Sequence, residues 1–219
     1  MTRRRIMESH LDAIRDAVVG GKHQEIEGLV KAAVEDKVDL DRLINEAMIG
    51  AMDVVGKKFA QNEIFVPEML VSAVTMKKGL DLLKPFLKDQ ETESKGTVVM
   101  CTVKGDIHDI GKNLVDMMLE GAGFKVVDLG VDLTVEDVVD QVAKVKPQVL
   151  GLSALLTTTM PQMKNVIDTL TEKGLRDKVK VMVGGAPVDQ GFADKIGADG
   201  YGKDAAEAVE LARRFTSGL

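Results

Sequence analysis

The 219 residues carry a formal net charge of −6, with 45% hydrophobic and 29% charged side chains, 12 methionines and only 3% aromatics. That balance belongs to a globular chain of one large domain or two small ones, its interior filled by aliphatic and Met side chains. No basic stripe with interleaved aromatics marks a nucleic-acid surface, no apolar run nears the ~20 residues of a bilayer span, and the lone Cys101 excludes a disulfide framework and a Cys-rich zinc site.

The basic start, Met1 to Arg5, is followed by no apolar signal core, so a cytoplasmic location is expected. Residues 1–88 are predicted helical throughout. Ile6 to Val18 forms a weak first helix. Ile26, Leu29, Val30, Ala33 and Val34 recur at helical spacing, as do Leu40, Leu43, Ile44, Ala47, Met48, Ala51, Met52, Val55 and Phe59. Met69, Leu70, Ala73, Val74 and Leu80 follow, behind Pro67 in a first-turn position. Four amphipathic helices with short joins predict a four-helix bundle that Pro85 closes. Residues 89–96, within a charged stretch from Lys88 to Gly96, read as an interdomain linker.

From residue 97 the pattern changes. Short apolar runs at 97–101, 125–129, 148–153 and 178–184, with a fifth near 199–201, alternate with helical segments at about 109–122, 134–146, 159–173, 187–196 and 204–216. The predicted fold for 97–219 is therefore α/β, a flavodoxin-like or Rossmann-like five-stranded parallel sheet in the order 2-1-3-4-5. Ligands of such sheets bind beyond the carboxyl ends of the strands, at the switch point between the first and third. The loops 102–111 and 153–159, with Gly184-Gly185-Ala186-Pro187 beside them, are where function is expected.

The first of these loops runs from Lys104 to Asn113. Five residues separate Gly105 from Gly111 and Asn113 stands where a phosphate-binding loop needs a hydroxyl; the dinucleotide pattern Gly-x-Gly-x-x-Gly is also absent. What remains is Asp106-x-His108-x-x-Gly111. A loop histidine can bind a metal through one ring nitrogen while a carboxylate two residues away fixes the tautomer through the other, and Gly111 lets a bulky ligand lie close to the backbone. The plain alternative is a solvated histidine beside a helix-capping aspartate. The other histidines, His10 and His23, lie on the N-terminal helices, and one protein ligand cannot hold zinc. It can hold a metal already fixed by a macrocycle, corrin or haem, and the haem attachment pattern Cys-x-x-Cys-His is missing. Cys101, ending an apolar run, reads as a small buried hydrophobe.

Asp106-x-His108-x-x-Gly111, followed by Ser153-x-Leu155 and by Gly184-Gly185, resembles the three-part signature of cobalamin-binding domains. The N-terminal half is similar to the helical cap of methionine synthase and of corrinoid proteins from methylamine, methanol and betaine methyltransferase systems, most clearly from Met52 to Phe59 and from Ile64 to Pro67. The resemblance covers nearly the whole chain. It implies a cobalamin or related corrinoid cofactor whose cobalt passes between methyl-Co(III) and Co(I) forms. It implies His108 as the lower cobalt ligand, Asp106 as its hydrogen-bond partner and Thr159 behind Asp106. Gly151, Ser153, Gly184 and Gly185 then shape a narrow slot for the displaced nucleotide tail, with Ser153 and Thr157 as donors to its base and Gly200-Tyr201-Gly202 closing it. Phe59 and Val66 match cap positions over the methyl-bearing face; as plain residues they read equally as bundle core.

The resemblance implies a carrier subunit and not a complete enzyme: a methyl group moves between a substrate-specific methyltransferase and an acceptor methyltransferase serving tetrahydrofolate or a thiol coenzyme, with a reductive activator as third partner. Three other readings stay open. A radical mutase shares the C-terminal signature without the cap, a cobalamin-dependent regulator pairs it with a DNA-binding domain, and a flavodoxin-like nucleotide binder uses no metal.

Overall fold

The computed structural model describes residues 3–86 and 94–217. The chain forms two compact units, Met1–Glu93 and Ser94–Leu219, save that Gly121–Gly123 group with the first. Most of the expected linker, 89–93, lies outside the described residues. Among the described residues no helix is long and apolar enough to cross a membrane.

The first unit comprises α1 (Arg3–Val19), α2 (Ile26–Glu35), a short α3 (Leu40–Arg42) that runs through a π-helical stretch (Leu43–Ile49) into α4 (Gly50–Ala60), and α5 (Val66–Leu83), closed by a 3-10 turn (Lys84–Phe86). Leu11, Ile14, Ile26, Leu43, Met48, Met69, Met76 and Leu83 are fully buried among its helices. The single α-periodic stripe expected from Leu40 to Phe59 needs correction at its start. Between Leu43 and Ile49 the wider π turn brings Leu43, Ile44, Ala47, Met48 and Ile49 all to the core, and Ile49 falls outside the α-helical stripe. The Asp39 carboxylate caps this helix by accepting from the Arg42 N–H at 3.0 Å.

The second unit alternates β1 (Thr97–Thr102), α6 (Ile110–Gly121), β2 (Lys125–Asp128), α7 (Val135–Val145), β3 (Val149–Ser153), α8 (Pro161–Glu172), β4 (Lys180–Gly184), α9 (Gln190–Ile196), β5 (Gly200–Gly202) and α10 (Ala205–Thr216). All pairings are parallel and the order is β2-β1-β3-β4-β5. Local chemistry sets the helix starts. Thr134, Asp189 and Asp204 each accept from a backbone N–H three residues on, and Gly197 ends α9 in the left-handed conformation at φ +78°.

Register divides the sheet into two different faces. Val99, Cys101, Leu150, Leu152, Val181 and Val183 point one way, into an aliphatic core shared with Val138, Val142, Met163, Ile167, Leu170 and Ile196 of α7, α8 and α9. The opposite face, covered in part by α10, carries smaller side chains toward its carboxyl ends. One row across it reads Met100, Gly151, Met182, Gly200, and the next row, at the carboxyl ends, reads Thr102, Ser153, Gly184, Gly202. No side chain in that last row exceeds threonine.

Candidate functional site

The loop 103–109, from the end of β1 to the start of α6, closes around its own aspartate. Asp106 is fully buried. Its Oδ1 accepts from the backbone N–H of His108 at 3.0 Å and from His108 Nδ1 at 2.7 Å. Its Oδ2 accepts from the backbone N–H groups of Leu155 at 2.7 Å and Leu156 at 3.2 Å, just beyond β3, and from the Thr159 hydroxyl at 3.0 Å. The Thr159 hydroxyl also lies 2.9 Å from the Leu156 carbonyl, but the charged oxygen is the stronger acceptor. Burial alone would push the Asp106 carboxyl up. The donors from His108, Leu155 and Thr159 outweigh it and hold the carboxyl well below the usual carboxylate range.

A permanent carboxylate accepts and cannot donate, so the proton of the His108 ring sits on Nδ1 and the lone pair is left on Nε2. The side chain is 49% exposed, and Nε2 has no hydrogen-bond partner among the described residues. The ring emerges among apolar side chains. Ile107 and Ile110, flanking it in sequence, are 73% and 83% exposed, and Leu155 and Leu156, anchored to Asp106, are also exposed. Single exposed aliphatics are ordinary; four in the two loops that Asp106 joins form an apolar patch of the kind that marks a ligand surface.

The expected tail residues divide by cause. Gly111 is the second residue of α6, and a Cβ there would meet nothing within 4 Å, so the protein's own packing does not require glycine. Gly185, at φ +126°, is required by the backbone: a Cβ would overlap the Ala154 carbonyl oxygen. Gly184 brings β4 close to β5, with a Cβ placed 3.0 Å from the Gly202 carbonyl oxygen. Gly202 in turn receives Ala208 of α10. Ser153 lies in the small row, half-buried, and Thr157 is exposed in the turn that follows.

Two expectations are corrected. Gly151 does not face open space, because Met100 and Met182 from the neighbouring strands fill the volume its side chain would take. Tyr201 pairs with Val183 and packs on the aliphatic core, so its side chain lies on the face opposite Gly184 and Gly202. Cys101 is fully buried in that same core, its thiol pushed up to about 12 by burial, which leaves it no nucleophilic role. In the helical unit Phe59 is half-buried near the end of α4, and Val66, the first residue of α5, is 38% exposed.

Sequence reasoning missed four contributors. Thr102 is fully buried and donates its hydroxyl to the His108 carbonyl at 3.0 Å. Asp132 closes the loop from outside, giving its N–H to the Asp106 carbonyl at 3.0 Å and accepting the Gly105 N–H at 2.8 Å. The Leu155-Leu156 backbone supplies two of the carboxylate's donors. The available signal was an apolar pair directly after a strand, where loop residues are ordinarily polar.

Among the described residues no three His, Cys, Asp or Glu side chains gather to hold a bare ion. A lone imidazole with a fixed tautomer, exposed apolar residues in the same loops and a row of small residues at the carboxyl ends of the strands together fit a metal that brings its own macrocycle and a tail to bury. The fold and site thus define an α/β domain of the cobalamin-binding class. A family model described as a B12 binding domain matches residues 96–210, and a second B12 binding model matches 10–84 in the helical unit. A corrinoid protein of Desulfitobacterium hafniense is 43% identical over 94% of this chain and 97% of its own length. A trimethylamine corrinoid protein of Methanosarcina acetivorans is 42% identical over 91% and 93%. The crystal structure of a methanol:cobalamin methyltransferase complex from Methanosarcina barkeri superposes with a TM-score of 0.86 at 36% identity, covering 96% of this chain and 81% of that one. The chain belongs to the corrinoid methyl-carrier proteins of methylamine and methanol methyltransferase systems.

Proposed function

We propose that the chain carries methyl groups on a corrinoid held from below by His108 Nε2, between a substrate-specific methyltransferase and an acceptor methyltransferase. The observation that carries the site assignment is the 2.7 Å contact of His108 Nδ1 with a buried, five-fold hydrogen-bonded carboxylate, which leaves Nε2 of a half-exposed ring as the nitrogen open to a ligand. When bound, the corrinoid supplies a cobalt centre that accepts and releases a methyl group. The chain supplies position and proton control.

Asp106 keeps the ring proton on Nδ1, and Thr159 with the Leu155 and Leu156 N–H groups keeps Asp106 from taking that proton itself. Ile107, Ile110, Leu155 and Leu156 would exclude water from the corrinoid on the side of His108. Thr102, Ser153, Gly184 and Gly202 form the small row that would admit a nucleotide tail, and Gly111 leaves room at the start of α6. In the helical unit, Phe59 and Val66 are the residues that would serve as a cap over the methyl-bearing face.

Relatives named for trimethylamine, for dimethylamine and for methanol all match over most of the chain. Similarity across these relatives does not single out a donor, so we assign donor choice to the partner enzyme, with an acceptor methyltransferase and a reductive activator as the further partners. The test is His108→Ala in chain reconstituted with methylcobalamin. Loss of histidine coordination in the absorption spectrum, with the fold retained, is expected; an unaltered spectrum refutes the ligand assignment.

A further inference from the structure

Behind the His108 loop lies a buried cation outside the lower-ligand relay. Lys112, the third residue of α6, is 2% exposed. Its ammonium donates to Asp128 Oδ1 at 2.7 Å, to Asp116 Oδ2 at 3.0 Å and to Asn113 Oδ1 at 2.7 Å. Two circumstances oppose a lysine there. Burial disfavours the charge, and the first turn of a helix is the positive end of its dipole. Burial alone would lower its pKa, but the bonds to Asp128 and Asp116 outweigh that, so the ammonium stays charged. Well-packed apolar residues often replace such buried ion pairs without loss of stability, so bulk stability alone does not call for this arrangement.

The geometry shows what the cation organises. Asp128 ends β2, and the oxygen that meets Lys112 also accepts the Gly130 N–H at 2.8 Å. The Gly130 carbonyl accepts the Thr102 N–H at 2.9 Å, and the Leu133 N–H reaches the Thr102 carbonyl at 3.3 Å. Thr102, fixed at both ends of its peptide unit, donates its buried hydroxyl to the His108 carbonyl. One connected path thus runs from the first turn of α6 across the end of β2 to the backbone of His108. It grips the chain on both sides of the loop, at Thr102 before it and at Lys112 after it.

We propose that Lys112 and Thr102 are positioning residues for the lower ligand, fixing the carbonyl side of the His108 backbone over the sheet while Asp106 holds its N–H and its ring. The proposal rests on the assignment of His108 as that ligand, yet its first readout needs no corrinoid. In the full-length chain, Lys112→Met should speed amide exchange at His108 by about tenfold relative to core amides such as Leu150 and Leu152, because the loop opens locally. In the same variant loaded with methylcobalamin, part of the bound corrinoid should lose histidine coordination. A purely structural role predicts something else: all amides accelerate together and the coordination spectrum stays as in the parent. That outcome overturns the proposal. Should Lys112→Met not fold, Thr102→Val removes one hydroxyl at the other end of the path and should give the same local acceleration; unchanged exchange at His108 overturns the proposal equally. A parent protein without histidine coordination would defeat the ligand assignment instead, and the exchange measurement would still decide whether the loop is clamped.

Discussion

Asp106→Asn isolates the contribution of one charge, because the amide keeps the shape of the carboxylate. The two ways of seating it differ in cost. With Nδ2 inward, it faces the N–H groups of Leu155 and Leu156 and the Thr159 hydroxyl, leaving two buried donors unmet at about 1–3 kcal/mol each. With Nδ2 outward, it meets the His108 N–H and the ring, so one donor is lost and the ring must turn its Nδ1 lone pair to the amide. The outward form is the cheaper, and it moves the ring proton to Nε2, the nitrogen needed for the metal. Adding the weakening of the inward bonds once the charge is gone, the loss of stability at neutral pH should be about 2–4 kcal/mol. Because the folded Asp106 carboxyl is held low, its contribution is complete above the unfolded-state value and is lost only as the pH falls below that value toward the lower folded one, so parent and variant should converge only in strong acid. Urea unfolding of the α/β unit can be followed by fluorescence of Tyr201, the only tyrosine in a chain without tryptophan. Absorption of the methylcobalamin-loaded variant reports coordination. A variant that loses under 0.5 kcal/mol, or that keeps full histidine coordination, refutes the reasoning.

Other consequences are equally open to measurement. Thr159→Val should cost about 1–2 kcal/mol and Thr159→Ser far less, since only the first removes the donor to Asp106; comparable losses would mean that methyl packing matters and the hydroxyl does not. Gly111→Ala should raise the stability of the chain alone by up to about 1 kcal/mol, as alanine in a helix normally does, while weakening corrinoid binding, because nothing in the protein meets the new methyl group; undiminished affinity would place the ligand elsewhere. Gly185→Ala should cost of order 3 kcal/mol in the chain alone, from overlap with the Ala154 carbonyl and a φ that alanine avoids, and an innocuous substitution would contradict the β3–β4 approach. Burial pushes Asp116 up to about 6, against the opposing hydrogen bond from Lys112. The folded chain therefore holds this proton more tightly than the unfolded one, a contribution complete below about pH 4 and lost as the pH rises through 6. Asp116→Asn should flatten the stability profile between those limits, and an unchanged slope would show the group titrating normally.

The sheet order was readable because five apolar runs alternated with helical segments, and a parallel sheet needs helices to cross over. The switch point then singled out the loop of Asp106 and His108 before any geometry was known. What the sequence did not reveal was which face each glycine serves. Gly151, Gly184 and Gly200 look alike in sequence; register and neighbours make one a bed for Met100 and Met182, one a close approach to the β5 backbone, and one a seat for Leu211 and Phe215. Tyr201 was misplaced for the same reason, since a strand as short as Gly200–Gly202 gives no alternation from which to fix its faces. The donors to Asp106 from Leu155 and Leu156 were invisible because backbone N–H groups carry no residue signature. The π-helical stretch escaped because an α-helical period was imposed on a segment whose apolar residues fill a wider arc. The helical domain match at 10–84 and relatives aligned over nearly the full chain favour a carrier over a mutase subunit without a cap or a metal-free nucleotide binder.

The account turns on the nitrogen below cobalt. Chain grown with histidine carrying the spin-one-half isotope of nitrogen, loaded with cobalamin and reduced by one electron, can be read by electron paramagnetic resonance. Ligation by His108 predicts that each cobalt line is split into two by the labelled axial nitrogen, with the splitting lost in His108→Ala. The three-line splitting of an unlabelled axial nitrogen in the labelled protein would show the cofactor's own base still in place and contradict the account.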